Sequence, residues 1–179
     1  MALTATIHTF DIELADSDRH VYESLALRVA RHPSESPEYL VTRVLAFALE
    51  LTEGIQFSRG LSEPDSPAIE VRDLTGALRA WIDVGLPDAD RLHRAGKAAA
   101  RVAVYTHRDP ALLVDRLAGA RVHRAEALEL YAIDRALVGA LAARLKRRMA
   151  FSLSVTGHDL YVTIGPDTLV GHVARHEIR

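Results

Sequence analysis

The chain has no cysteine, which excludes disulfides and thiolate zinc sites. No apolar run approaches the ~20 residues that a membrane-spanning helix needs. Met1-Ala-Leu-Thr-Ala has no basic stretch leading into an apolar one, so no secretory signal is read and a cytoplasmic location is the default expectation. Charge of one sign is also missing: 22 Lys and Arg stand against 24 Asp and Glu, a net charge of −2. Broad nucleic-acid binders usually carry a basic surplus, because counterion release from phosphates supplies most of their affinity, so any such role would need a local basic groove. Gly-rich phosphate loops, a Gly-x-Ser-x-Gly elbow and a His-Glu-x-x-His pair are absent, which removes the enzyme classes built on them. Aromatics are scarce at 6%, with Trp81 the only tryptophan. What is present is ordinary: 179 residues, 49% of them hydrophobic, mean hydropathy +0.03. Those values suit one globular domain spanning residues 1–179, with a monomer as the default.

Apolar and polar residues alternate through Phe10, Ile12 and Leu14 and again through Leu25, Leu27 and Val29. With the Asp16-Ser17-Asp18 turn between them, they predict an N-terminal hairpin. His32-Pro33-Ser34-Glu35-Ser36-Pro37 supplies a serine cap and a first-turn proline for a helix expected to end near Gly54. Leu40, Val41, Val44, Leu45, Ala48 and Leu51 form its core stripe, with Arg43, Phe47 and Glu50 on another, and a short strand follows through Phe57. A hairpin centred on Thr75-Gly76 pairs Ile69 with Ile82, Val71 with Ala80 and Asp73 with Leu78. Its other face sets Ala68, Glu70 and Arg72 against Asp83, Trp81 and Arg79.

Residues 87–99 read as a helix with Asp88 and Asp90 in the first turn, and 102–106 as a buried strand. Strand, helix and strand at this spacing predict a right-handed crossover to a parallel neighbour. A short helix over 110–117, a partly extended stretch over 122–133 and a helix from Asp134 to about Arg148 come next. A C-terminal hairpin of 150–155 and 160–164 around Gly157-His158, and a last strand over 169–174, complete an α/β chain.

Several stretches act together: Arg31-His32-Pro33-Ser34-Glu35, Leu45-Ala46-Phe47-Ala48-Leu49, Gly60-Leu61-Ser62, Asp73-Leu74-Thr75-Gly76, Trp81-Ile82-Asp83-Val84-Gly85 with Pro87-Asp88, and Val104-Tyr105-Thr106. In combination they resemble the YaeQ family of small bacterial proteins, over most of the chain and most densely from 31 to 106. The resemblance implies a variant of the PD-(D/E)XK endonuclease-like fold, a mixed sheet flanked by helices. It implies no settled activity, since fold does not fix function.

Enzymes of that fold gather a helix Glu, a hairpin Asp and a second strand acid around Mg²⁺, whose charge offsets that building on phosphorus. A lysine two residues after the second acid serves the attacking water. On this resemblance Asp83 takes the second acid's place and Glu50 is the candidate helix acid. Pro64-Asp65 is a literal Pro-Asp, but the hairpin register sets Ala68, after Pro67, opposite Asp83. Glu70 lies one diagonal step away as a substitute carboxylate. Gly85 stands where the lysine would be, and Lys97 or Arg94 on the following helix would have to return a cation. Mg²⁺ ligands would then come from Asp83, Glu70, Asp65 and Glu50, with Asp83, Glu70 and Lys97 catalytic and Trp81, Arg94 and Arg43 contacting substrate.

Each residue has a plainer reading beside this one. Asp83 and Glu70 can be cross-strand ion-pair partners of Arg72 or Arg79, Glu50 a solvated acid beside Arg43, and Trp81 a half-buried sheet residue. His172 and His176 read as structural, and Arg144, Lys146, Arg147 and Arg148 as a basic helix end. The missing lysine and missing paired aspartate favour a nuclease-like fold kept without catalysis, binding a protein or nucleic-acid partner through the Trp81–Asp83 face. The alternative is a Mg²⁺-dependent phosphodiesterase acting on DNA or RNA.

Overall fold

Alternating residues build the first two strands of the computed structural model, which describes residues 4–58 and 65–178. Strand β1 (Thr6–Asp16) pairs antiparallel with β2 (Val21–Arg31), with Phe10 opposite Leu27 and Ile12 opposite Leu25. Helix α1 (Pro37–Leu49) follows, with the Ser36 hydroxyl accepting from Tyr39 N and Pro37 in its first turn. It ends five residues short of Gly54. Strand β3 (Ile55–Phe57) leads towards β4 (Ile69–Arg72), and β5 (Leu78–Val84) closes the central hairpin. The crossover through α2 (Ala89–Ala98) brings β6 (Arg101–Thr106) parallel to β5, as expected. Then come α3 (Pro110–Leu117), a single 3₁₀ turn at Ala125–Ala127, β7 (Glu129–Ile133), α4 (Arg135–Ala142), β8 (Arg148–Thr156), β9 (Asp159–Ile164) and β10 (Asp167–His176).

The ten strands hydrogen-bond into one mixed sheet in the order β2-β1-β8-β9-β10-β7-β6-β5-β4-β3. Its inner face wraps α1 and α4: Phe10, Ile12, Phe151, Leu153 and Val162 meet Leu40, Val44, Leu45, Leu137 and Leu141. Gly171 lets α4 sit directly on β10, since a Cβ there would come within 2.7 Å of Leu137. Helices α2 and α3 cover the outer face of β5–β7, where Trp81, Val104 and Leu130 pack under Leu92, Leu113 and Leu117. Among the described residues no helix is long and apolar enough to cross a membrane.

Three expectations are corrected. Arg72, not Asp73, sits opposite Leu78, and the register shifts at Val71/Arg72. The cause is local: Asp73 Oδ1 accepts from Thr75 N and Ala77 N at 2.9 and 3.0 Å, which folds Asp73 into the turn instead of the ladder. The last helix stops at Ala142, not near Arg148. Parallel pairing with β1 claims the chain there, with Thr9 N donating to Arg147 O and Arg148 opposite Thr9, so Arg147 and Arg148 are no helix end. Arg43 does not lie on an outer stripe; it is 1% exposed, in the core.

Arg43 joins the two margins of the sheet. Its Nη1 donates to Ala30 O on β2, its Nη2 to Ser58 O just past β3, and its Nε to Ala68 O just before β4, at 3.3, 2.6 and 3.3 Å. The sheet therefore curls nearly closed around α1. The buried Glu35 carboxylate lies 3.6 Å from Arg43 Nη1. Burial pushes the Glu35 carboxyl above its ordinary value, and the pull of Arg43 in the other direction does not overcome it.

Replacing Arg43 by Met strands three carbonyls and an acid, and we expect a loss of about 3–5 kcal/mol in urea unfolding. Glu35→Gln tests the linkage. An acid whose folded pKa is raised binds its proton more tightly in the native state. The wild type should therefore lose stability relative to Glu35→Gln as pH rises from the ordinary carboxylate value through the raised one. Unfolding midpoints measured across that range check the sign.

Candidate functional site

The crossover places Asp83 at the carboxyl end of β5, beside the end of β6, where open α/β sheets usually keep their ligand sites. Its side chain leaves the outer face with Trp81, and the hairpin register keeps Ala68, Glu70, Trp81 and Asp83 on that one face. Asp83 is 2% exposed. Arg91 answers the buried charge with a two-pronged contact, Nε to Oδ2 at 2.7 Å and Nη2 to Oδ1 at 2.9 Å. Arg91 is the third residue of α2, and side chains in a first helical turn lean back towards the N-terminus. Asp88 fixes that turn by accepting from Arg91 N at 2.8 Å. The guanidinium also donates to Ser66 O and lies over the Trp81 ring, 5.4 Å from its centroid. Ala68 N completes the shell at 3.3 Å from Asp83 Oδ1.

Around this pair opens a cleft of about 630 Å³. Four arginines line it, Arg91, Arg94, Arg108 and Arg116, against two aspartates, Asp83 and Asp88. Both aspartates are engaged, by Arg91 and by the α2 N-terminus. Arg94, Arg108 and Arg116 are exposed. Arg116 donates to Leu86 O at 2.6 Å, Arg94 is 3.9 Å from the Asp65 carboxylate, and the Arg108 side chain makes no hydrogen bond or ion pair among the described residues. Ser36 and Tyr39 at the start of α1 form the facing wall with His107. Burial, then the Asp83 charge, push the Tyr39 phenol up to about 12, so it stays protonated at neutral pH.

The other candidate carboxylates do not join Asp83. Glu70 accepts from Gln56 Nε2 and, at 3.2 Å, from Arg72 Nη2. Asp65 is exposed and, among the described residues, reaches only Arg94; Pro64, the other half of the literal Pro-Asp, lies outside the described residues. Glu50 caps α1 on the opposite face of the sheet. It pairs with Arg101 at 2.7 and 2.8 Å and accepts from Tyr105 OH at 2.6 Å, not with Arg43 as its stripe suggested. Among the described residues no three His, Asp or Glu side chains converge as a metal site.

Arg43 is sealed in the core, and Trp81 lies buried beneath Arg91, so neither offers a surface to a substrate. Lys97 sits exposed in the last turn of α2 and does not line the cleft; Arg94 does. Gly85 has φ of +88° and its N–H donates to Tyr105 O at 2.9 Å. The chain has left the strand at that point, and a lysine there would be strained. His172 bonds Asp159 at 2.8 Å, and Arg144 bonds Ala140 O. Arg91, Arg108, Arg116, His107 and Tyr39 were not singled out from sequence. Arg91 alone had a signal, an arginine three residues after a capping aspartate.

The family model described as YaeQ protein matches residues 1–172. Relatives carrying the name "Uncharacterized protein YaeQ" in Escherichia coli K12 and Salmonella typhi are each 40% identical over 107 residues, 60% of this chain. The match spans 59% of the length of either relative. Two crystal structures agree more widely. YaeQ protein from Pseudomonas syringae gives a TM-score of 0.87 at 28% identity, covering 96% of this chain and 95% of that one. YaeQ protein from Xanthomonas axonopodis pv. citri gives 0.87 at 30%, covering 98% and 100%.

Arg91→Met would leave the Asp83 carboxylate enclosed without its counter-ion. Thermal unfolding at neutral pH should show a loss of about 3–5 kcal/mol. A loss below about 1 kcal/mol would mean that the pair is dispensable for folding.

Proposed function

The chain belongs to the YaeQ family, and from that premise we propose that it is a non-catalytic relative of the PD-(D/E)XK nuclease-like fold that binds nucleic-acid phosphates in the Asp83 cleft. One observation carries the reading: both oxygens of Asp83, the acid that this reading would assign to a metal, are held by the guanidinium of Arg91. A carboxylate gripped at both oxygens by a fork of N–H donors has little left to offer Mg²⁺. The order of elements supports the fold assignment, with a capped helix, a hairpin ending in Asp83, then a crossover helix and a parallel strand. The three outer arginines support the ligand class, since guanidinium matches phosphate geometry and stays charged at every working pH. The alternative, a Mg²⁺-dependent phosphodiesterase, needs a second carboxylate beside Asp83, and Glu70 and Asp65 are turned to Gln56, Arg72 and Arg94.

Fluorescence anisotropy with labelled single-stranded oligonucleotides tests this. Binding should need no Mg²⁺ and should weaken steeply with salt. The double substitution Arg94→Ala and Arg108→Ala, both at exposed positions, should lower the salt slope by about 1.4, roughly 0.7 for each phosphate of a single strand no longer neutralised. Absence of binding at low salt ends the proposal. Strand cleavage that appears with Mg²⁺ and vanishes in Asp83→Ala would replace it with the phosphodiesterase.

A further inference from the structure

Thr42, on α1, determines which nitrogen of His107 carries the proton. Thr42 Oγ1 is 2.7 Å from Glu38 O and 3.3 Å from His107 Nδ1. A hydroxyl has one proton to give, and the shorter contact is to a carbonyl, which can only accept. The longer contact must then run the other way, with Nδ1–H donating to Thr42 Oγ1. In the neutral ring this leaves the lone pair on Nε2. No described group bonds Nε2, and it is not among the buried polar atoms left without a partner, so it is accessible, on a residue that lines the cleft. The charged groups facing the ring are Glu38 from α1, Arg108 beside it and Arg135 from α4. Burial is the largest influence and holds the imidazole below its ordinary value; Glu38 opposes this and the two arginines add to it. The ring is therefore neutral at physiological pH.

The cleft thus offers two complementary functions side by side. Arg94, Arg108 and Arg116 can only donate, and they suit phosphate oxygens. His107 Nε2 can only accept, and an ionised phosphate has no proton for it. A ligand that satisfies both carries a hydrogen-bond donor close to a phosphate. The ribose 2′-hydroxyl is such a group, and it is what distinguishes RNA from DNA. We propose that the cleft selects ribonucleotide over deoxyribonucleotide strands, with His107 Nε2 accepting the 2′-hydroxyl hydrogen while the arginines hold the adjoining phosphate. This rests on the phosphate-binding reading of the cleft.

The test compares three labelled single strands of one sequence by anisotropy at about pH 7.5: RNA, DNA and 2′-O-methyl RNA. The methylated strand keeps the sugar pucker and phosphates of RNA but has no 2′ hydrogen to donate. RNA should bind roughly three- to tenfold more tightly than either of the others, the worth of one hydrogen bond. His107→Phe keeps a planar ring without the acceptor, and should bring RNA and DNA to within about twofold of each other. As pH falls through the lowered imidazole value, Nε2 gains a proton and becomes a donor, so the wild-type preference should shrink. Equal binding of the three strands by the wild type overturns the inference while leaving phosphate binding intact. A preference for RNA over DNA that persists in His107→Phe also overturns it, because sugar pucker or another contact to the 2′-hydroxyl would then be the cause. Binding of none of the strands overturns both readings together, and the wild-type comparison stands even should His107→Phe fail to fold.

Discussion

One guanidinium in the middle of α1 holds the sheet in its curled shape. A ten-stranded sheet that curls without closing has two free margins, each a row of unpaired backbone groups. Arg43 takes carbonyls from both margins at once, and at the centre of the core no solvent competes for its donors. Burying a charge is unfavourable unless its donors are used, and here three carbonyls and Glu35 share them. Burial still lowers the Arg43 pKa from its ordinary value, with Glu35 opposing. The geometric consequence matters more than the energy. By fixing α1 against Ala68 and Ala30, Arg43 sets Ser36 and Tyr39 opposite the ends of β5 and β6, and so forms one wall of the cleft.

The other wall is built around Asp83. In the nuclease-like reading proposed above, an acid at this place would gather a metal with help from neighbouring acids. Here the cation is part of the chain. Arg91 rises from the first turn of α2, which Asp88 fixes, and rests on Trp81. Trp81 is therefore a platform for the guanidinium. The same turn of backbone explains the absent lysine: Gly85 bends the chain away with a positive φ, so position 85 no longer shares a strand face with Asp83. Acid, cation and bend form a consistent set that holds a shape and leaves the outer arginines to meet a ligand.

Much of this was legible in residues and some was not. Local alternation and turn chemistry predicted all three hairpins, and the Ser36-Pro37 entry predicted α1, because period and caps are written in adjacent residues. The pairing of Ile69 with Ile82 and of Val71 with Ala80 follows from one apolar face. Its failure at Asp73 came from a side chain competing with the ladder, a contest the apolar pattern does not record. The last helix was read six residues too long because Arg144, Lys146, Arg147 and Arg148 suit a helix end, whereas pairing with β1, some 140 residues away, decides. Helical stripes placed Arg43 and Glu50 together on the surface. In the structure they are separated by burial and by the sheet itself, and Glu50 finds Arg101 from a strand. Long-range partners of charged residues were the least legible feature.

Net charge misleads for a related reason. A total of −2 argues against a polyanionic partner only if charges act as one pool. They do not, because screening confines each exposed charge to about 8 Å at physiological salt. Many acids here are tied up locally: Asp16 with Arg19, Asp73 with Arg79, Glu50 and Glu129 around Arg101, and Asp18 on the backbone of Gly157 and His158. In the Asp83 cleft both aspartates are committed, while three further arginines face the opening. A ligand within a few ångströms meets an excess of positive charge, and one farther away meets a nearly neutral protein. Such an arrangement gives little long-range capture of duplex DNA. It makes affinity depend on groups that fit the cleft, which is the condition under which a single acceptor such as His107 Nε2 can decide between two polyanions of equal charge.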